Sequence, residues 1–108
     1  DRSGMHGTRR WNIINNGIIK LGKSTYNIDK IMNMDAFILL FSYQYYSMNE
    51  PGAHYIFVDR IGEYYKVYGI WRTYKMNPLL RKEHFRHKFL VHNPRKYGID
   101  YPLAWSIH

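Results

Sequence analysis

The chain opens on polar residues, DRSGMHGTR, whose two glycines and lack of apolar period predict an extended arm over residues 1–9. The next stretch, RWNIINNGIIKLGK, places β-branched pairs at Ile13–Ile14 and Ile18–Ile19 on either side of Asn16-Gly17. Asn and Gly tolerate the positive φ of a tight primed turn, so this pattern predicts a β-hairpin.

Apolar positions then crowd together. In IMNMDAFILLFSYQYYSM they fall nearly all round a helical wheel between Ala36 and Phe41. Asn27 is a good N-cap, and Asp29 in the first turn suits the helix dipole. The expectation is a helix from Ile28 to about Met48, buried on most sides and ending before Pro51-Gly52. A buried strand through AFILLFSYQYY is the alternative, because a continuous apolar run has no period to separate the two.

Alternation takes over after Gly52. HYIFVD and EYYKVYGIWRTYK predict two strands joined near Arg60–Gly62. In the second, Tyr65, Val67, Gly69, Trp71 and Thr73 share one face, which is uncharged and fits a core. Tyr64, Lys66, Tyr68, Ile70, Arg72 and Tyr74 share the other, which mixes aromatic rings with bases. Asn77-Pro78 is a favourable helix start, and LLRKEHFRHKFLV predicts a second helix to about Val91. Its bases occupy several faces, so it is expected to be an exposed lid or to be gripped by a polyanion. The end, HNPRKYGIDYPLAWSIH, has two prolines and one glycine and reads as an extended tail with apolar anchors at Tyr97, Tyr101, Leu103 and Trp105.

The predicted fold class is therefore α+β. It is a small single domain of antiparallel β-hairpins packed on a central apolar helix, with a second, basic helix and extended N- and C-terminal tails. The expected boundaries are an arm at 1–9, the α+β domain at 10–92 and a C-terminal tail at 93–108. No internal repeat or low-complexity segment is visible.

Composition narrows the class. The 108 residues suit one domain, and 45% hydrophobic with 22% charged residues argues against disorder. Eleven tyrosines suit surfaces that are apolar at the ring and wet at the hydroxyl. There is no cysteine, so disulfides and thiolate metal sites are excluded, which leans toward an intracellular setting. The first residue is Asp1 rather than Met, which is expected of a processed product or a fragment and is compatible with removal of a targeting peptide. The longest apolar run, AFILLF, falls far short of the ~18 residues of a membrane span.

Charge changes the picture most. The net charge is +8, and residues 60–96 alone carry ten bases against Glu63 and Glu83. Positive charge concentrated in a third of the chain creates a field that attracts phosphates.

Candidate chemistry is sparse. His84 and His87 are three residues apart on the expected helix and would need a further ligand for a metal, in surroundings crowded with Arg and Lys that repel cations. His92 comes next, and no H-E-x-x-H pattern occurs. The eight acids form no short-range pair for general acid/base work. GIIKLGKS formally satisfies G-x-x-x-x-G-K-[ST], but its first glycine lies in the expected hairpin turn and its intervening residues are bulky, which does not make a phosphate cradle.

The aromatic and basic positions carry the functional expectation. RNA-binding sheets stack bases on Tyr or Phe and meet phosphates with Lys and Arg, although the sequence motifs of such sheets are absent here. The expectation is a non-catalytic, structural, basic subunit of a large ribonucleoprotein, of the mitochondrial ribosome type. It would bind structured RNA, ribosomal RNA in particular, and pack on neighbouring protein subunits, without a cofactor or metal. Arg72, Lys75, Arg81, Lys82, Arg86 and Lys88 are the expected phosphate contacts, with Tyr68 and Tyr74 for stacking or packing. Two alternatives belong to other classes. One is an accessory subunit of a membrane respiratory complex, with AFILLFSYQYY as a short helix at an anionic membrane edge. The other is a small metal-independent ribonuclease using His84 or His87.

Overall fold

The structure, a computed structural model, describes residues 21–69, 78–96 and 98–108. The elements in chain order are β1 (Leu21–Thr25), α1 (Ile28–Met32), β2 (Ala36–Tyr43), β3 (Gly52–Ile61), β4 (Tyr64–Tyr68), β5 (Leu79–Arg81), α2 (Lys82–Phe85, continuing as a π turn over Arg86–Leu90) and β6 (Leu103–Ile107). The six strands form one antiparallel sheet in the order β1-β6-β2-β3-β4-β5. With a radius of gyration of 13.4 Å, the chain is as compact as the ~13 Å expected near 100 residues.

The long helix expected over residues 28–48 is not formed. Its first turn is right: Asn27 Oδ1 accepts the Lys30 N–H at 3.1 Å. The helix then stops at Asn33, whose N–H returns to Lys30 O and whose side chain donates to Asp29 O at 3.0 Å. The chain continues as β2, the alternative reading of AFILLF. It pairs with β3 along its whole length, from Ala36↔Asp59 to Tyr43↔Gly52, and with β6 from Phe37↔Ser106 to Leu40↔Leu103. Residues 37–42 are buried without interruption. An interior strand covered on both faces needs apolar side chains at every position, which removes the alternation that would have marked it as a strand. The sheet is therefore built around a central strand, not around a central apolar helix.

Both helices lie on one face of this sheet. There Phe37, Leu39 and Phe41 of β2 meet Ile56 and Val58 of β3, Tyr65 and Val67 of β4, and Ala104 of β6. Ile31 and Met32 of α1 and Phe85, Phe89 and Leu90 of α2 close the core. The π turn explains that last trio. A wider turn brings residues four and five positions after Phe85 back to the sheet together. On the opposite face Ile38 and Leu40 are also buried, and the rings of Tyr55 and Trp105 lie 6.4 Å apart.

The β3–β4 hairpin forms where expected. Ile61 pairs with Tyr64, leaving Gly62 and Glu63 in the turn, and Gly62 adopts φ 62, as a primed turn requires at its first central position. The expected alternation of β4 holds for its described part, with Tyr65 and Val67 buried and Tyr64, Lys66 and Tyr68 half-buried opposite.

Two further expectations change. The second helix begins at Lys82, not after Pro78. Leu79–Arg81 is drawn into the sheet by the open edge of β4, pairing Lys66↔Leu79 and Tyr64↔Arg81, while Pro78 O accepts the Val67 N–H at 3.0 Å. The C-terminal residues are not all tail: Leu103–Ile107 is β6, inserted between β1 and β2. The expected arm at 1–9, most of the hairpin centred on Asn16-Gly17, and Arg72, Tyr74, Lys75 and Asn77 lie outside the described residues.

Candidate nucleic-acid interface

The bases of residues 60–96 separate into those used within the fold and those left facing solvent. Arg60 Nη2 pairs with Asp35 Oδ1 at 2.6 Å, and its Nε donates to Met34 O at 3.2 Å, tying the end of β3 to the α1–β2 link. Lys96 is largely covered, donating to Pro51 O and lying 3.8 Å from Glu50. Arg95 pairs loosely with Asp100 at 3.7 Å and donates to Gly98 O. These bases hold loops.

Arg81, Lys82, Arg86 and Lys88 are different. All four are exposed, and none forms an ion pair among the described residues. Their placement results from the packing of β5 and α2. Once Phe85, Phe89 and Leu90 are turned to the sheet, the remaining positions of the helical segment must face water. Arg81 stands on the β5 edge with its guanidinium 5.4 Å from the Tyr64 ring centroid. Lys82 lines a shallow cleft with Asn33, Arg60, Glu63 and Tyr65. Lys88 Nζ is 5.8 Å from the Phe89 ring centroid, so its stem lies along the core ring and its charge at the rim. Strand edge, helix start and helix end thus carry an excess of positive charge, with the exposed Glu83 on the same segment and Glu63 across the cleft from Lys82.

Tyr68, the described member of the expected stacking pair, is half-buried, and Lys66 Nζ sits 5.4 Å from its centroid. Arg81 meets Tyr64 across the β4–β5 pair, whereas Lys66 and Tyr68 are same-face neighbours two residues apart on β4, so rings and bases of this sheet face contact each other.

The described histidines do not gather into a group of three. His87 meets His92, with centroids 5.1 Å apart and an edge-to-face angle of 84°. No group of three or more potential ligands is present among the described residues. Burial raises the Tyr65 pKa above its ordinary value, and the nearby Arg60 works against that rise. AFILLFSYQYY is not a helix, so it cannot lie at a membrane edge as one, and no described helix is long and apolar enough to cross a membrane.

A second aromatic–cationic corner lies outside the sequence-based expectation. Beyond the last β6 pairing, the Ser42 N–H is taken by Asn93 Oδ1 at 2.8 Å, and Ser42 Oγ donates to Pro94 O at 2.6 Å. Asn93 Nδ2 in turn donates to Phe89 O at 2.9 Å, so one side chain locks the end of α2 to the end of β2. The join leaves a cavity of about 220 Å³ lined by residues 41–45, Lys88, Phe89 and His92. Its signal in the sequence is the alternation of Tyr43 and Tyr45 past the apolar run, which a helical reading of this stretch hides.

Compared with known protein families, curated proteins and solved structures, the chain matches none.

Proposed function

We propose that the protein is a non-catalytic, basic structural subunit of a large ribonucleoprotein, binding phosphates of structured RNA and packing against neighbouring subunits. The observation that carries this reading is the set Arg81, Lys82, Arg86 and Lys88, exposed and without carboxylate partners among the described residues. Four such charges on one short segment create a local positive potential that attracts a polyanion. Arg60 and Lys96 of the same region are tied into the fold by ion pairs and backbone carbonyls, and Arg95 has a surface carboxylate partner, which sets them apart from the exposed set.

A ribosome of the mitochondrial type is the setting proposed for it, and ribosomal RNA the partner. Arg72 and Lys75 belong to the same proposed phosphate set, and Tyr74 to the stacking set, with Tyr68 acting through the Lys66-covered ring face as packing.

The test is binding of the chain to a folded RNA hairpin as salt is raised. The six proposed phosphate contacts give a log–log slope of about −4 to −5. A flat salt profile, or binding to anionic liposomes without binding to RNA, contradicts the reading.

A further inference from the structure

We propose that the cleft between the β3–β4 turn and the start of α2 receives one ribose–phosphate unit of the RNA backbone, with Lys82 on the phosphate and Glu63 accepting the 2′-hydroxyl. This rests on the RNA reading above and adds to it a site that selects RNA over DNA.

The walls of the cleft are already held in place. Its floor is Tyr65, 2% exposed, whose hydroxyl donates to Met32 O at 2.8 Å. Arg60 forms one wall. Its Nη2 meets Asp35 Oδ1 at 2.6 Å, its Nε donates to Met34 O at 3.2 Å, and its N–H donates to Asp35 O at 2.7 Å. Asn33 forms another, fixed by its Nδ2 on Asp29 O at 3.0 Å. Groups anchored in this way lose little freedom when a ligand enters.

Two lining side chains are not committed. Glu63 comes from the β3–β4 turn and Lys82 from the first position of α2, and both are exposed. Among the described residues neither forms an ion pair or a hydrogen bond. A mostly polar cleft therefore offers one carboxylate acceptor and one ammonium donor from different elements.

That pair selects the occupant. A phosphate alone would be repelled by Glu63, and a neutral polyol would leave Lys82 unanswered. A ribonucleotide carries both partners side by side: a 2′-hydroxyl that donates, and a phosphate on the neighbouring 3′ oxygen that accepts. Bonds of a hydroxyl to a carboxylate and of an ammonium to a phosphate are charge-assisted, the stronger kind. The 2′-hydroxyl is also the group by which a protein tells RNA from DNA. Gly62 adds no side chain to the turn, and a Cβ built there would meet no atom within 4 Å, so a backbone can pass close to the cleft. At about 180 Å³ the cleft is below the ~300–1,000 Å³ of sites that enclose drug-sized ligands, which suits a single sugar–phosphate unit. Lys82 belongs to the exposed basic set, so the cleft lies on the surface proposed to face RNA.

The experiment compares two hairpins of one sequence with the full chain at one low salt concentration. One is RNA; the other carries 2′-fluoro in place of every 2′-hydroxyl, which keeps the charge and the sugar pucker and removes the donor. The wild type should bind the RNA hairpin about tenfold more tightly, the scale of one hydrogen bond to a charged group. Glu63→Ala should abolish that preference by weakening the RNA hairpin, without weakening the 2′-fluoro hairpin, because removing an acid favours phosphate binding in general. Lys82→Gln should weaken both hairpins alike. Equal binding of the two hairpins by the wild type, or an unchanged preference in Glu63→Ala, overturns the ribose site while leaving the RNA reading intact. Failure of the wild type to bind either hairpin overturns both.

Discussion

The rings of Tyr65 and Phe85 lie 4.7 Å apart and within 9° of parallel, and the Tyr65 hydroxyl donates to Met32 O at 2.8 Å. One β4 side chain thus seats both helices: its ring carries α2 and its hydroxyl closes the last turn of α1. Phe85→Ala should cost about 3–5 kcal/mol in denaturant unfolding, because it empties the centre of the core. Tyr65→Phe keeps the stack and removes one buried hydrogen bond, so its cost should be nearer about 1–2 kcal/mol.

The same residue predicts an alkaline effect. Burial raises the Tyr65 pKa above the usual value near 10, so the fold favours the neutral phenol. Its contribution is fully present below about pH 10 and is lost as pH rises through the folded-state value. Stability of the wild type should fall more steeply above about pH 10 than that of Tyr65→Phe, as measured by urea midpoints across the range. Equal slopes would mean that Tyr65 has the same pKa in the folded and the unfolded chain.

Asn93 is the most economical target in the latch between α2 and β2. Asn93→Ala leaves the Ser42 N–H and Phe89 O without their partner, and should cost about 1–3 kcal/mol. Hydrogen exchange at Ser42 should rise before that of Leu39, whose neighbours are unchanged.

The two buried faces of β2 give a sharp contrast with a half-solvated strand. Ile38 and Leu39 point to opposite faces and are 1% and 0% exposed. Each changed to Ala should cost about 2–4 kcal/mol by thermal or chemical unfolding. If Ile38→Ala were nearly neutral, only one face of the strand would be buried in solution.

Legibility in the sequence tracked the strength of local signals. The Asn27 cap, the Gly62 turn and the alternation of Tyr65 and Val67 against Tyr64, Lys66 and Tyr68 are local, and each could be read from neighbouring residues. AFILLF could not, because burial on both faces of β2 depends on β3, β6 and the side chains packed above them. Leu79–Arg81 forms a strand only because β4 offers an open edge, which outweighs the helix-start preference of Asn77-Pro78. The alternation of Leu103, Trp105 and Ile107 with Ala104 and Ser106 is visible in the sequence, but the preceding prolines and glycine make the whole end read as irregular. Of the expected site, the structure places Arg81, Lys82, Arg86 and Lys88 as exposed bases and Tyr68 against Lys66. The Tyr43–Tyr45 corner is hidden because it exists only once α2 is laid across the end of β2.

The RNA reading stands or falls on whether the four exposed bases answer phosphates. The decisive quantity is the affinity of the full chain for a folded RNA hairpin between about 50 and 200 mM salt, beside a variant with Arg81, Lys82, Arg86 and Lys88 all changed to Gln. The wild type should lose about 300- to 2,000-fold in affinity over that range, and the variant should bind weakly with a slope flatter by about 3. Equal slopes for the two proteins would place the RNA contacts elsewhere, and no RNA binding by the wild type at the lowest salt would contradict the reading.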